Sequence, residues 1–236
     1  MGKAIIKSLF RLVLAATLLA TGMETRAGVP EGVEAYRNRD YKLAVKQFVP
    51  PAENGDAVAL FYIALMYENA EGLPENFPQA MLLYRRAADM GYAPAQNNLG
   101  VMFETKAGTE RSYKDAAIWY RKAAAQGNAP AQFNLGLMYY IGRGSDVPRS
   151  FKEAAAWYLK AAEQGYAPAQ NSLARMYEYG QGMPVSLMQA YMWYSLASET
   201  GNEAFKANRQ AIEVKLAPDM LEQAKAMARE WRASHQ

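Results

Sequence analysis

The 236-residue chain has no cysteine and one histidine. Lacking cysteine, it has no disulfide staples, no thiolate metal sites and no lipid-modified cysteine. The lone histidine rules out multi-histidine metal centres. It leaves only His235, the penultimate residue, where disorder is the usual expectation, for any Ser-His pair. Long apolar runs are also missing, the longest falling short of the ~20 residues a membrane-spanning helix needs. With 51% apolar and 21% charged side chains the composition is globular, so the fold must hold by packing alone.

The first 27 residues differ from the rest. Lys3, Lys7 and Arg11 precede an apolar stretch from Leu12 to Met23, and Ala27 closes the segment on a small residue. That order is a secretory signal peptide's, so residues 1–27 are expected to be removed and the chain to be periplasmic or secreted, with no integral membrane segment afterwards. Cleavage would take four bases and one acid from the 26 and 23 present, leaving 22 of each. The basic balance thus belongs to the targeting segment, and a nucleic-acid partner loses its electrostatic footprint.

The remainder repeats itself. GDAVALFYIALMY (55–67), GYAPAQNNLGVMF (91–103), GNAPAQFNLGLMY (127–139) and GYAPAQNSLARMY (165–177) align without gaps. Each leads to a second block: NFPQAMLLYRRAADMG (76–91), SYKDAAIWYRKAAAQG (112–127), SFKEAAAWYLKAAEQG (150–165) and SLMQAYMWYSLASETG (186–201). Apolar residues recur three and four apart in both blocks, so each repeat is predicted to be a pair of helices, A and B. Pro94, Pro130 and Pro168 fall in the first turn of helix A, where a missing N–H costs nothing. Asn76, Ser112, Ser150 and Ser186 open helix B, followed three residues later by Gln79, Asp115, Glu153 and Gln189 in the manner of capping boxes. Gly91, Gly127, Gly165 and Gly201 suit the left-handed turn that ends helix B. Ala64, Gly100, Gly136 and Ala174 let the paired helices touch, with Ala80, Ala116, Ala154 and Ala190 as expected partners and Tyr84, Tyr120, Tyr158 and Tyr194 expected to wedge between successive units.

The pattern A-x-x-x-L-G-x-x-Y, a glycine-containing loop, then K-D/E-A-A-x-W-Y-x-K-A-A-x-Q-G closely resembles the Sel1-like repeat, a relative of the tetratricopeptide repeat. The resemblance is strongest over 91–177 and weakest at 55–67 and in the loop 105–111, which lacks the usual G-x-G. It implies an all-α, right-handed superhelical solenoid of antiparallel helix pairs. Residues 28–54 then form a tetratricopeptide-like N-terminal unit, 55–201 four repeats and 202–236 C-terminal capping helices. Pro50 and Pro51 are expected to kink or end the second helix of the first unit.

Candidate chemistry is sparse. Gly142-Arg143-Gly144 and Gly180-Gln181-Gly182 follow no strand and fit helix-ending turns better than a phosphate loop. The repeated serines lack an S-x-x-K partner and read as caps. Trp119, Trp157 and Trp193 could stack sugars, but their spacing beside tyrosines favours packing. Glu68, Glu104 and Glu178 recur at one repeat position, where a solvated face outweighs a hydrolytic carboxylate pair. Nothing in the sequence calls for a cofactor or a metal.

Family resemblance also implies that helix A lines the concave face. Carrying the binding positions across repeat by repeat gives Phe61, Leu65 and Glu68; Asn97, Val101 and Glu104; Phe133, Leu137 and Tyr140; and Asn171, Arg175 and Glu178. Aromatic anchors flanked by amides and charges suit a protein or peptide partner. The expected function is a non-catalytic scaffold of the bacterial cell envelope. Two alternatives stay open: peptidoglycan binding or carboxylate-dependent hydrolysis, and self-association.

Overall fold

The structure, a computed structural model, describes residues 28–105, 107–108, 110–143 and 147–235; the segment read as an export signal lies outside them, as does Gly144. Its described residues form α-helices joined by turns and fall into two compact units divided after Ser112.

The first unit contains α1 (Val29–Arg37), α2 (Tyr41–Glu53), α3 (Ala57–Glu68), α4 (Phe77–Asp89) and α5 (Ala93–Thr105). The second contains α6 (Tyr113–Ala125), α7 (Ala129–Ile141), α8 (Phe151–Glu163), α9 (Ala167–Tyr179), α10 (Leu187–Ser198), α11 (Glu203–Glu213) and α12 (Pro218–Ser234). Within each unit consecutive helices pack together, α1 to α5 in the first and α6 to α11 in the second, while α12 packs on α10. The architecture is an all-α repeat solenoid of paired antiparallel helices: α3, α5, α7 and α9 are the A helices, α4, α6, α8 and α10 the B helices.

Small residues set the helix spacing. A Cβ on Gly136 of α7 would lie 2.7 Å from the Tyr158 ring of α8, and one on Gly32 of α1 would lie 2.7 Å from the Phe48 ring of α2. The expected partner, Ala154, contributes its carbonyl oxygen at 3.3 Å, but the tyrosine one turn further along the same face is the nearer contact. Tyr158 therefore fills the interior of its own hairpin first, and with Tyr84 and Tyr120 it is among the largest fully buried side chains. Burying such a ring is worth about 1.5–3 kcal/mol, which no single hairpin could collect from all its faces alone.

The ends of the B helices follow their sequence signals in part. Asn76, Ser150 and Ser186 accept the N–H of Gln79, Glu153 and Gln189 at 3.0, 3.2 and 3.3 Å, half of a capping box. The reciprocal half is replaced. The cap residue's own N–H donates to a carbonyl in the last turn of helix A, Asn76 to Tyr67, Ser112 to Phe103, Ser150 to Tyr139 and Ser186 to Tyr177, each at 2.9 Å. One of the carbonyls that helix A leaves unpaired thus fixes the start of helix B.

The prolines expected to kink or end α2 do not end it: the helix runs through Pro50 and Pro51 to Glu53. They lie in its final turns, so the lost donors free only carbonyls near its end, including that of Gln47, and Pro51 is buried beside Ala52. His235 is also ordered against the helix before it, its ring stacked on Trp231 at 4.2 Å and Nδ1 2.8 Å from the Trp231 carbonyl oxygen.

Candidate functional site

Three sets of residues hold the hairpins together; the tyrosines and glutamates among them stood out in the sequence as repeat positions, the buried glutamines did not. Gln96, Gln132 and Gln170, buried near the start of their A helices, donate through Nε2 to the carbonyls of Ala88, Ala124 and Ala162 at 3.0, 3.2 and 3.2 Å. Their recurrence in A-P-A-Q was visible; its purpose was not, because the acceptor sits on the preceding helix.

Loop glycines form the second set. A Cβ on Gly72 would fall 2.7 Å from Cβ of Tyr41, one on Gly108 2.8 Å from the Phe77 carbonyl carbon, and one on Gly182 2.5 Å from that of Phe151. Each loop presses onto the residue that opens the B helix of the preceding hairpin. Gly108 does for the loop without G-x-G what Gly182 does for the loop with it. In the third loop, Arg143 donates to the Tyr113 hydroxyl at 3.1 Å.

The third set is built on tyrosine and glutamate. Tyr84 donates to Glu68 at 2.6 Å and accepts from Asn98 of the next helix at 3.0 Å, while Tyr194 donates to Glu178 at 2.9 Å. Burial first, then the charge and hydrogen bond of Glu68, push the Tyr84 phenol far above the ordinary tyrosine range; burial and Glu178 do the same to Tyr194. In the N-terminal region Glu71 accepts from both Tyr36 and Tyr41, at 2.5 and 2.8 Å. Desolvation opposes ionisation of Glu71, but hydrogen bonds from Tyr36, Tyr41 and Asn69 outweigh it and hold the carboxyl below its usual range.

These contacts redefine the sequence-predicted groove. In the first unit Phe61 packs edge-on against Tyr62 and Tyr92, at 5.4 and 5.3 Å between ring centroids. Leu65, Val101 and Glu104 are half-buried, Glu68 is spent on Tyr84, and Asn97 is buried. In the second unit Phe133 packs on Tyr158 and Tyr166, at 5.5 and 5.6 Å. Leu137 and Tyr140 are half-buried on the same helix, and Arg175 is exposed. The Tyr140 hydroxyl donates to Gln181 at 3.0 Å, and the Arg175 guanidinium lies over the Tyr140 ring, 5.6 Å from its centroid.

Asn171 and Glu178 are engaged from within the chain. Asn208 of α11 donates to Asn171 at 2.8 Å, and Lys215, just beyond α11, pairs with Glu178 at 2.7 Å. After Gly201, α11 takes the place that a further helix A would take. The spacing did hold this signal, since Asn208 falls seven residues after Gly201 as Asn98 falls seven after Gly91.

The tryptophans are packing residues. Lys122 lies over the Trp119 ring at 3.9 Å, Lys160 over Trp157 at 4.1 Å, and Trp193 meets Trp231 edge-on at 5.8 Å. Among the described residues no group of three or more His, Asp or Glu is placed to hold a metal ion, and no helix is long and apolar enough to cross a membrane.

Comparison with known proteins agrees with this geometry. A solved protective antigen present in uropathogenic Escherichia coli strains is 35% identical, with a TM-score of 0.78 over 86% of this chain and 44% of its own. A solved Sel1 repeat protein from Oxalobacter formigenes is 27% identical, with a TM-score of 0.68 over 87% of this chain and 84% of that one. DAP3-binding cell death enhancer 1 of Rattus norvegicus is 39% identical over 57 residues, 24% of this chain and 11% of its own length. The chain thus spans less than half the length of the antigen and about a ninth of the rat protein. The Sel1 repeat matches four consecutive segments, 57–92, 93–128, 129–166 and 167–202, which together exceed half of the sequence. The chain belongs to the Sel1 repeat family.

Proposed function

We propose that the protein is a non-catalytic scaffold of the bacterial cell envelope that holds a partner protein or peptide against its A helices. The fold class typically mediates protein–protein interaction, and the signal-like N-terminus supports an envelope address. The observation that carries the reading is in the second unit. Leu137 and Tyr140 of α7 stay partly open to solvent beside exposed Arg175 of α9, while the neighbouring polar groups Asn171 and Glu178 are already satisfied. Apolar surface left open beside one unspent charge is the composition of a protein contact.

A photo-crosslinking residue at Leu137 tests this against one at Ile118, an exposed apolar position on helix B. Adducts of defined mass should form in cells from position 137 and not from 118. Equal adducts from both positions, or none from either, would remove the reading.

A further inference from the structure

The charged groups of the A helices are few enough to follow individually. In the second unit α7 carries none, and α9 carries only Arg175 and Glu178. Glu178 is neutralised: its carboxylate receives Lys215 at 2.7 Å and the Tyr194 hydroxyl at 2.9 Å, and its side chain is 10% exposed. Lys215 is spent in the same pair. Arg175 is different. It is exposed, it donates to the Tyr140 hydroxyl over a long 3.4 Å, and its guanidinium rests on the Tyr140 ring. Tyr140 is itself held by Gln181. The ring orients the guanidinium and its hydroxyl takes one donor, leaving the other N–H groups for a carboxylate, which such a fork can hold bidentately.

Arg175 also breaks a row. It occupies the repeat position filled by Leu65, Val101 and Leu137 elsewhere, so a cation follows three aliphatic side chains. Accordingly, resting on the groove reading above, we infer that α7 and α9 bind an extended peptide segment through an Asp or Glu side chain on Arg175, with a neighbouring bulky apolar residue against Leu137 and Tyr140. Arg175 is the only cation on α7 and α9, and a single cation fits a single side-chain carboxylate. Tyr140 is the positioning residue.

The test is selection of random twelve-residue peptides, displayed at the N-terminus of a phage coat protein so that no free peptide C-terminus is present, on the immobilised full chain. Wild type should enrich peptides with Asp or Glu within two positions of Leu, Ile or Phe. Selected peptides should bind Arg175→Gln at least roughly tenfold more weakly, the loss of one charge-assisted contact. Selection on Arg175→Glu should favour Lys or Arg in place of the acid. Because Arg175 is exposed, unchanged circular dichroism will separate these effects from misfolding. If the selected peptides bind Arg175→Gln as well as wild type but are lost on Leu137→Glu, the groove stands and the Arg175 inference falls. Enrichment without an acidic residue also overturns the inference, and so does the absence of any enrichment. Binding only of synthetic peptides with a free C-terminal carboxylate would overturn the side-chain assignment.

Discussion

Alanine at Gly182 and at Gly165 separates the two reasons for a loop glycine in this chain. Both have a left-handed backbone, φ +76° and +79°. Alanine in that conformation costs about 1–2 kcal/mol, and the cost applies equally to both. Their surroundings differ. An added Cβ at Gly165 meets nothing within 4 Å, whereas at Gly182 it would lie 2.5 Å from the carbonyl carbon of Phe151 and 2.8 Å from the nitrogen of Lys152. Those atoms are backbone at the start of α8, so relief requires moving the whole loop, and such overpacking adds about 1–3 kcal/mol. For a chain of this size each kcal/mol lowers the melting midpoint by about 2–4 °C. Gly165→Ala should therefore lower the midpoint by about 4 °C and Gly182→Ala by about 10 °C, read by far-ultraviolet circular dichroism on the full chain, with urea midpoints ranked in the same order. Equal losses would refute the claim that the loop glycine is a stacking contact between hairpins.

Three further outcomes follow from the same contacts. Gln170→Ala should cost about 2 kcal/mol in urea unfolding through lost packing and a lost hydrogen bond, whereas Gln170→Leu should stay within about 1 kcal/mol; leucine already fills this place at Leu60, fully buried. Because burial raises the phenols of Tyr84, Tyr158 and Tyr194 in the folded chain, the unfolded chain loses its protons first as pH rises past 10, so the contribution of these three groups should be constant below that value and fall above it. Absorbance of tyrosinate should then rise in two stages, the second coinciding with loss of helicity; a single early stage would contradict the buried hydroxyls. At the acid end, the depressed carboxyl of Glu71 contributes stability above its unfolded value that is lost as pH falls through its folded one, so hydrogen exchange, corrected for its intrinsic pH dependence, should show α1 and α2 opening more as wild type is acidified and already opening to that extent at neutral pH in Glu71→Gln.

Local patterns in the sequence were sufficient for the helix pairs, the prolines of the first turns and the glycines that end the B helices. Each depends on residues within about one turn of the others. The links between hairpins were not legible in the same way. That Gln96 reaches Ala88, or that Asn76 gives its N–H to Tyr67 rather than to its own third residue, depends on which helix arrives alongside. The expected groove could be written from the sequence as a set of positions, without the contacts those positions make. Repeat alignment put Asn171 and Glu178 in it without showing that Asn208 and Lys215 reach them first, and put Phe61 and Phe133 on its surface without showing them wedged against Tyr92 and Tyr166. That Arg175 is exposed beside the Tyr140 ring while Glu178 is paired likewise depends on which helices arrive alongside.

The bond from the cap residue of each B helix to helix A bears on how such a chain can change length. Between the loop glycine and the cap residue there are three intervening positions after Gly72, Gly108 and Gly182, but five after Gly144, and this is where the 38-residue repeat gains its extra two. Ser150 nevertheless keeps its 2.9 Å bond to Tyr139. The start of helix B is moored to helix A at the cap residue whether three or five positions precede it, and the longer stretch also seats Val147 in the core. Within this one chain, repeats of 36 and 38 residues thus start their B helices from the same bond, so a change of length ahead of the cap leaves the hairpin's register in place.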